Sequence, residues 1–188
     1  MKMGLWNWLL GKRTADRPSP FSVPPRVAPQ PGEDDLFEVD KPDVRFVLPG
    51  GIGGVPWSEE AIENGWSFTH RLWGLEATAS VRPTAHRFPL SELRGPLEKL
   101  AHVYQDSFAR QSTGPCEFGQ VQWMETADEL RMRFSGSAVR DGTSFAVLSV
   151  GRPAKVVTLT LIQHPRGLGV ADFQAVAGAV FNTFVVKE

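Results

Sequence analysis

Acid–base, nucleophilic and metal chemistry each need particular side chains at particular spacings, and this sequence of 188 residues offers few. Its histidines are His70, His86, His102 and His164. No two share a metal-ligand spacing, and none stands in a recognisable array with cysteine or carboxylate. His70 is expected as a half-buried strand residue and His102 on a helix surface. The single cysteine, Cys116, has no histidine near it in sequence to lower its pKa, so it reads as a small residue beside a strand. No Gly-x-Ser-x-Gly elbow occurs. Ser135-Gly136-Ser137 reads instead as a bulge or bend in a long strand. The carboxylate pairs Glu59/Glu60 and Asp128/Glu129 fall at loop or turn positions, where solvation accounts for them. Gly50-Gly51-Ile52-Gly53-Gly54 has the glycines of a phosphate loop but no following Lys-Ser/Thr, and Pro56 and Trp57 stand where a helix should open. No catalytic residue, metal ligand or cofactor site is therefore expected. The rival class is a hydrolase whose site is assembled from distant residues.

Tryptophan is the positive anomaly, with six in the chain. Trp57, Trp66, Trp73 and Trp123 belong to strands or their approaches. Each can fill the core, but tryptophan is also a usual anchor at interfaces, so these four are the candidate partner-binding residues. Trp66 and Trp73 fall on opposite strand faces by parity, which leaves one face to carry an aromatic groove.

The other two tryptophans lie in a short apolar segment, residues 1–13. Leu5, Trp6, Trp8, Leu9 and Leu10 crowd together, followed by Lys12 and Arg13. A helix of that length spans roughly 20 Å, against about 30 Å of hydrocarbon, so it is too short to cross a bilayer. It lacks a cleavage site for a secretory signal. Indole and lysine together suit the membrane interface. Docking to the inner face of a membrane or to a partner is weighed against packing on the domain itself or on a second subunit, as in a homodimer. Residues 14–35 follow as a linker, in which Pro18, Pro20, Pro24, Pro25, Pro29 and Pro31 favour extended chain. The folded domain is expected over residues 36–188.

The net charge of −1 gives no long-range case for nucleic acid. One cysteine excludes an intramolecular disulfide framework and fits a reducing, cytoplasmic compartment.

The elements that must position any site are clearest at the C-terminal end. Leu130, Met132 and Phe134 alternate with Arg131, Arg133 and Ser135, the period of a strand with one dry face. Asp141-Gly142 signals a hairpin. Phe145 to Val150 returns, and after Arg152-Pro153 a third run spans Val156 to Ile162. That run is apolar at Val157, Leu159 and Leu161 and half wet on the face of Thr158 and Thr160. From Val170 the period becomes helical, with Phe173, Val176, Ala177, Val180, Phe181 and Phe184 on one face. Earlier in the chain, Val44 to Leu48 is a strand ended by Pro49, and Ser58-Glu59-Glu60 has the pattern of a helical turn. Trp66 to Trp73 and Leu75 to Val81 alternate as neighbouring antiparallel strands. A helix is expected from Pro96 to Gln111, with a separate turn at Ser91 to Leu93, because proline is comfortable only in a first turn. Phe118 to Met124 is expected as one strand.

This order, with the closing VVTLTLIQHPRGLGVADFQAVAGAVFNTFVV, the strand ending FVLP and the helix PLSELRGPLEKLAHVYQDSF, resembles the PsbP-like superfamily over about Val44 to Val186. That superfamily includes the photosystem PsbP proteins, Ran-binding import factors, bacterial DcrB proteins and the Eag chaperones of type VI secretion. Gly50 to Gly54 departs from the short turn expected there, and the tail and linker are extra. The resemblance implies a single-domain α/β (α+β) fold, an antiparallel sheet flanked by helices as an α/β/α sandwich, used for binding other macromolecules. It implies a non-enzymatic adaptor with a protein partner, most specifically a bacterial, Eag-like chaperone shielding a hydrophobic segment. A peripheral membrane-associated envelope protein is the further alternative.

The tail reading is checked with anionic vesicles. Lys12 and Arg13 contribute about 1 kcal/mol each near anionic lipid, and the linker reaches roughly 60 Å when extended. Full-length chain should co-sediment, less so as salt rises, and a chain starting at Leu36 should not. If neither binds, and the truncation instead exposes dye-binding apolar surface, the tail covers its own domain.

Overall fold

The computed structural model describes residues 36–50 and 55–188. Residues 1–35, with the expected docking segment and linker, and residues 51–54 of the glycine loop lie outside the described residues. The strands are β1 (Leu36–Asp40), β2 (Val44–Pro49), β3 (Ser58–Ile62), β4 (Gly65–His70), β5 (Leu75–Pro83), β6 (Cys116–Phe118), β7 (Gln122–Glu125), β8 (Leu130–Ala138), β9 (Ser144–Arg152), β10 (Lys155–Gln163) and β11 (Val185–Val186). The helices are α1 (Leu90–Gln111) and α2 (Phe173–Thr183). The large sheet runs β3-β4-β5-β10-β9-β8-β6, with β7 also paired to β8, and the small one runs β1-β2-β11. All pairings are antiparallel. Helix α1 packs on one face of the large sheet, and α2 with the small sheet on the other. This is the expected antiparallel sheet flanked by helices in one α/β/α domain. No helix among the described residues is long and apolar enough to cross a membrane.

The centre of the sheet is dry on both faces. Ala146, Leu148 and Val150 of β9 and Val157, Leu159 and Leu161 of β10 meet α2 and the small sheet. Phe145, Val147 and Ile162 meet α1. The face of Thr158 and Thr160, expected half wet, is buried too. Its hydroxyls are paired within the protein, Thr158 with Ser149 across the ladder at 3.0 Å and Thr160 with Tyr104 of α1 at 3.5 Å. Burial pushes the Tyr104 pKa up, which keeps that hydroxyl neutral.

Several local readings are corrected by long-range pairing. Ser58-Glu59-Glu60 is strand and not a helical turn, since β3 pairs with β4 at every position. Strand β4 ends at His70, so Leu72 and Trp73 sit in the following turn and do not continue its alternation. Helix α1 is continuous from Leu90 through Pro96. A residue before proline leaves the helical region mainly because its Cβ meets the pyrrolidine ring, and Gly95 has none. Leu93 and Leu97, flanking the proline, both pack on β9 at Gly151. Gly136 makes no bulge: the β8–β9 register runs one for one through it. A Cβ there would stand 2.5 Å from Phe145 and 2.7 Å from Phe118, so glycine makes room for two rings. The expected strand from Phe118 to Met124 is two short ones, each paired with a different part of β8. Helix α2 starts at Phe173 and not at Val170, because the Asp172 carboxylate caps it by accepting from the Ala175 N–H at 3.0 Å.

Phe184, 1% exposed, follows α2 and sets its ring 5.7 Å from that of Phe46 in β2, joining the helix to the small sheet. Phe184→Ala should lower the free energy of unfolding by about 3–5 kcal/mol. The check is the urea midpoint, and an unchanged value would refute this packing.

Candidate partner-binding groove

Helix α2 is short for the sheet it covers. Its eleven residues span about 16 Å, whereas a sheet seven strands wide measures roughly 29 Å. The small sheet covers part of the remainder, through Phe37 and Phe46 on Phe68 of β4. On the other side of α2, the α2-facing residues of β8 stay open. These are Arg131, Arg133 and Ser135, the polar alternates of the strand's buried set.

A groove results between α2 and the β7–β8 ladder. One part, of about 280 Å³, is bounded by Gly119, Gln120, Ser135, Ala146, Gln174 and Gly178. The other, of about 530 Å³, is bounded by Trp123, Met124, Arg131, Leu148 and Asn182. Gln122, Arg133 and Phe181 line both, so the two parts adjoin along these residues. The floor is apolar and the walls carry amides and guanidinium groups.

The two arginines differ in their partners. Arg131 donates from Nε to Glu129 Oε1 at 2.5 Å and from Nη2 to the Phe184 carbonyl at 3.4 Å. Glu129 is buried and also accepts from Arg152 Nε at 3.3 Å and Nη2 at 3.2 Å. Solvation therefore does not account for Glu129, as the sequence suggested; paired guanidinium groups do. Arg133 instead donates to a neutral group, Gln122 Oε1 at 2.6 Å, directly across the ladder. Arg133 is exposed and has no acidic partner among the described residues.

The expected site residues are not brought together. Trp57 is buried and donates from Nε1 to the Pro49 carbonyl at 2.8 Å. Trp73 is wholly buried, and Trp66 is half-buried against the same core. Trp123 packs toward α1, with the Arg94 guanidinium 4.9 Å from its ring centre, and is the one of the four that lines the groove. A single aromatic surface does not form, because the turn after β4 folds Trp73 inward and Trp57 packs under β2. The residues Leu5, Trp6, Trp8, Leu9, Leu10, Lys12 and Arg13 lie outside the described residues. Sequence reading missed Gln122, Arg133, Gln174 and Asn182. The signal for Arg133 was present in its alternation with Met132 and Phe134.

His70 is fully buried and not half-buried. Its ring lies 5.3 Å from that of Trp57 and 4.5 Å from that of Trp73. Nδ1 accepts from the Trp73 N–H at 3.3 Å, so Nε2 carries the proton and donates to the Val55 carbonyl at 3.0 Å. Burial lowers its pKa below the usual histidine value, and the ring is neutral. His164 pairs with Glu76 at 3.1 Å, while His86 and His102 are exposed. Cys116 is half-buried, its thiol 3.7 Å from the Gly114 carbonyl. No three of His, Cys, Asp and Glu gather as a metal site among the described residues.

No family model matches the sequence, and no curated protein matches it. Among solved structures the chain is similar to cyanobacterial PsbP (CyanoP) from Synechocystis sp. PCC 6803, with a TM-score of 0.60 at 12% identity over 83% of this chain and 95% of that one. The chain has the PsbP-like fold. The Saccharomyces cerevisiae Ran-binding protein Mog1p aligns with a TM-score of 0.47 at 10% identity, over 81% of this chain and 95% of that one. Within the PsbP-like fold of this chain, the groove is the opening left beside α2.

The buried histidine gives a pH dependence. In the unfolded chain His70 takes up a proton near pH 6.5, whereas the native site resists it. Stability attributable to His70 is therefore fully present above that pH and is lost as pH falls below it. Urea unfolding between pH 7.5 and 5.5 should show this slope, and His70→Asn should flatten it even if the variant is less stable throughout. A slope identical in both proteins would refute the assignment.

Proposed function

We propose that this protein is a non-enzymatic binding module that docks a segment of another protein in the groove between α2 and the β7–β8 ladder. The observation that carries the reading is the lining. Among the described residues Ser135 is the one hydroxyl side chain bordering the groove, and no described histidine, cysteine or carboxylate borders it to act as base. A hydrolase needs such a base within hydrogen-bond reach of its nucleophile. Amides, guanidinium groups and an apolar floor are instead the ingredients of a recognition surface. His70, the residue an enzyme reading would favour, has both ring nitrogens engaged by backbone.

An adaptor fits this lining better than a chaperone dedicated to a wholly apolar segment. Ala146, Leu148 and Phe181 offer apolar contact, but Arg133, Gln122, Gln174 and Asn182 ask for polar groups on the partner. Fold similarity to a photosystem protein is a weak guide to the partner.

Site-specific photo-crosslinking tests the reading. A benzophenone side chain placed at Asn182 should give discrete protein adducts in cells, and one placed at the exposed Glu60 of β3 should not. Gly178→Leu should remove the adducts. A Cβ at Gly178 meets nothing within 4 Å, so the change starts a side chain from an open position on the groove wall, and it replaces the poorer helix former. Adducts absent at Asn182, or untouched by Gly178→Leu, would refute the groove as the docking site.

A further inference from the structure

We infer that the groove takes an extended acidic peptide segment, with a side-chain carboxylate seated on Arg133. This rests on the binding reading above and adds the chemistry of the partner. The first support is charge. The chain as a whole carries a net charge of −1, yet among the described residues the groove is lined by two arginines and by no aspartate or glutamate. Arg131 shares the buried Glu129 with Arg152 and is tethered to the Phe184 carbonyl. Arg133 holds one neutral bond, from Nε to Gln122. That bond orients the guanidinium and leaves its two terminal nitrogens, the pair that a carboxylate grips with two parallel hydrogen bonds.

Shape supplies the second support. The groove follows β8 from Arg131 to Ser135, which is about 13 Å at strand rise and matches roughly four residues of extended chain. A small anion would leave most of that length empty. Ala146, Leu148 and Phe181 on the floor accept apolar side chains flanking the acid. The exposed Met124 at the rim is unbranched and polarizable, a residue that adapts to varied partners. Gln120, Gln122, Gln174 and Asn182 can both donate to and accept from a peptide backbone. One arginine without an acidic partner is too few for a nucleic acid, which needs several phosphate contacts along its length. The chain's own segment ending in Lys12 and Arg13 carries the wrong sign for this groove.

The test is titration of the full-length chain, labelled with nitrogen-15, with blocked hexapeptides. The acidic probe alternates Glu or Asp with Val or Leu, a neutral one replaces its acids by Gln and Asn, and a basic one replaces them by Lys. Hexauridylate and sodium acetate complete the set. The acidic peptide should shift the Arg133 Nε–H signal and the side-chain amides of Gln122, Gln174 and Asn182, with affinity falling as salt rises. The neutral peptide, and the acidic one with Arg133→Gln, should each bind about ten-fold more weakly. Arg133→Lys should recover part of the loss. Equal binding of neutral and acidic peptides in the groove would overturn the acidic specificity while leaving the docking site in place. If no peptide moves the groove signals, the inference and the binding reading both fail. The same shifts produced by acetate alone, by hexauridylate or by the lysine peptide would overturn the class of ligand.

Discussion

Burial of β9 and β10 on both faces is the constraint from which the remaining arrangement follows. A strand dry on both sides must pair its backbone within the sheet and any polar side chain within the layers. Here the ladders to β5 and β8 meet the first demand, and the Ser149–Thr158 and Thr160–Tyr104 hydroxyl pairs meet the second. Two covering layers are then obligatory. Helix α1 supplies one. The other is composite, assembled from α2 and from three strands that lie near opposite ends of the sequence, β1 and β2 at one and β11 at the other. Long-range contacts of this kind close large loops, an entropic cost that slows folding.

The composite layer explains where the groove lies. The Phe46–Phe184 contact holds the end of α2 to the small sheet and so away from β8. The cost of leaving polar β8 residues uncovered is low, since Arg133 and Ser135 are at home in water. The cost of leaving the other half uncovered would be high, because Phe68, Ala77 and Ala79 stand there. The gap thus falls on the side where the strand was already polar.

Much of this frame is legible in the sequence. The alternation Leu130, Met132, Phe134 and the helical spacing of Phe173, Ala177, Val180 and Phe181 report directly on burial, and both are found as read. Failures occur where a local signal competes with distant partners. Ser58-Glu59-Glu60 carries a capping pattern, but pairing with β4 decides its conformation. Pro96 argues for a break that Gly95 and the packing of Leu93 and Leu97 override. Glu129 reads as a solvated loop acid because one of its two guanidinium partners, Arg152, is a β9 residue beyond any local pattern. The groove was least legible of all. The sequence places Arg131 and Arg133 on one face, but only the mismatch between the length of α2 and the width of the sheet leaves that face open.

The broken edge formed by β6 and β7 bears on how copies of this protein treat one another. A long, flat, unpaired strand is a template on which a second molecule can add its own sheet, and this is a route to fibrillar association. At this edge the template is cut into pieces of three and four residues, separated at Gly119, Gln120 and Val121. At the opposite edge β3 is five residues long and presents Ser58, Glu59 and Glu60, two of them like charges that would face their own kind in a neighbour. The division of one edge strand into two thus guards against runaway self-assembly, and two residues of the break, Gly119 and Gln120, also line the cleft.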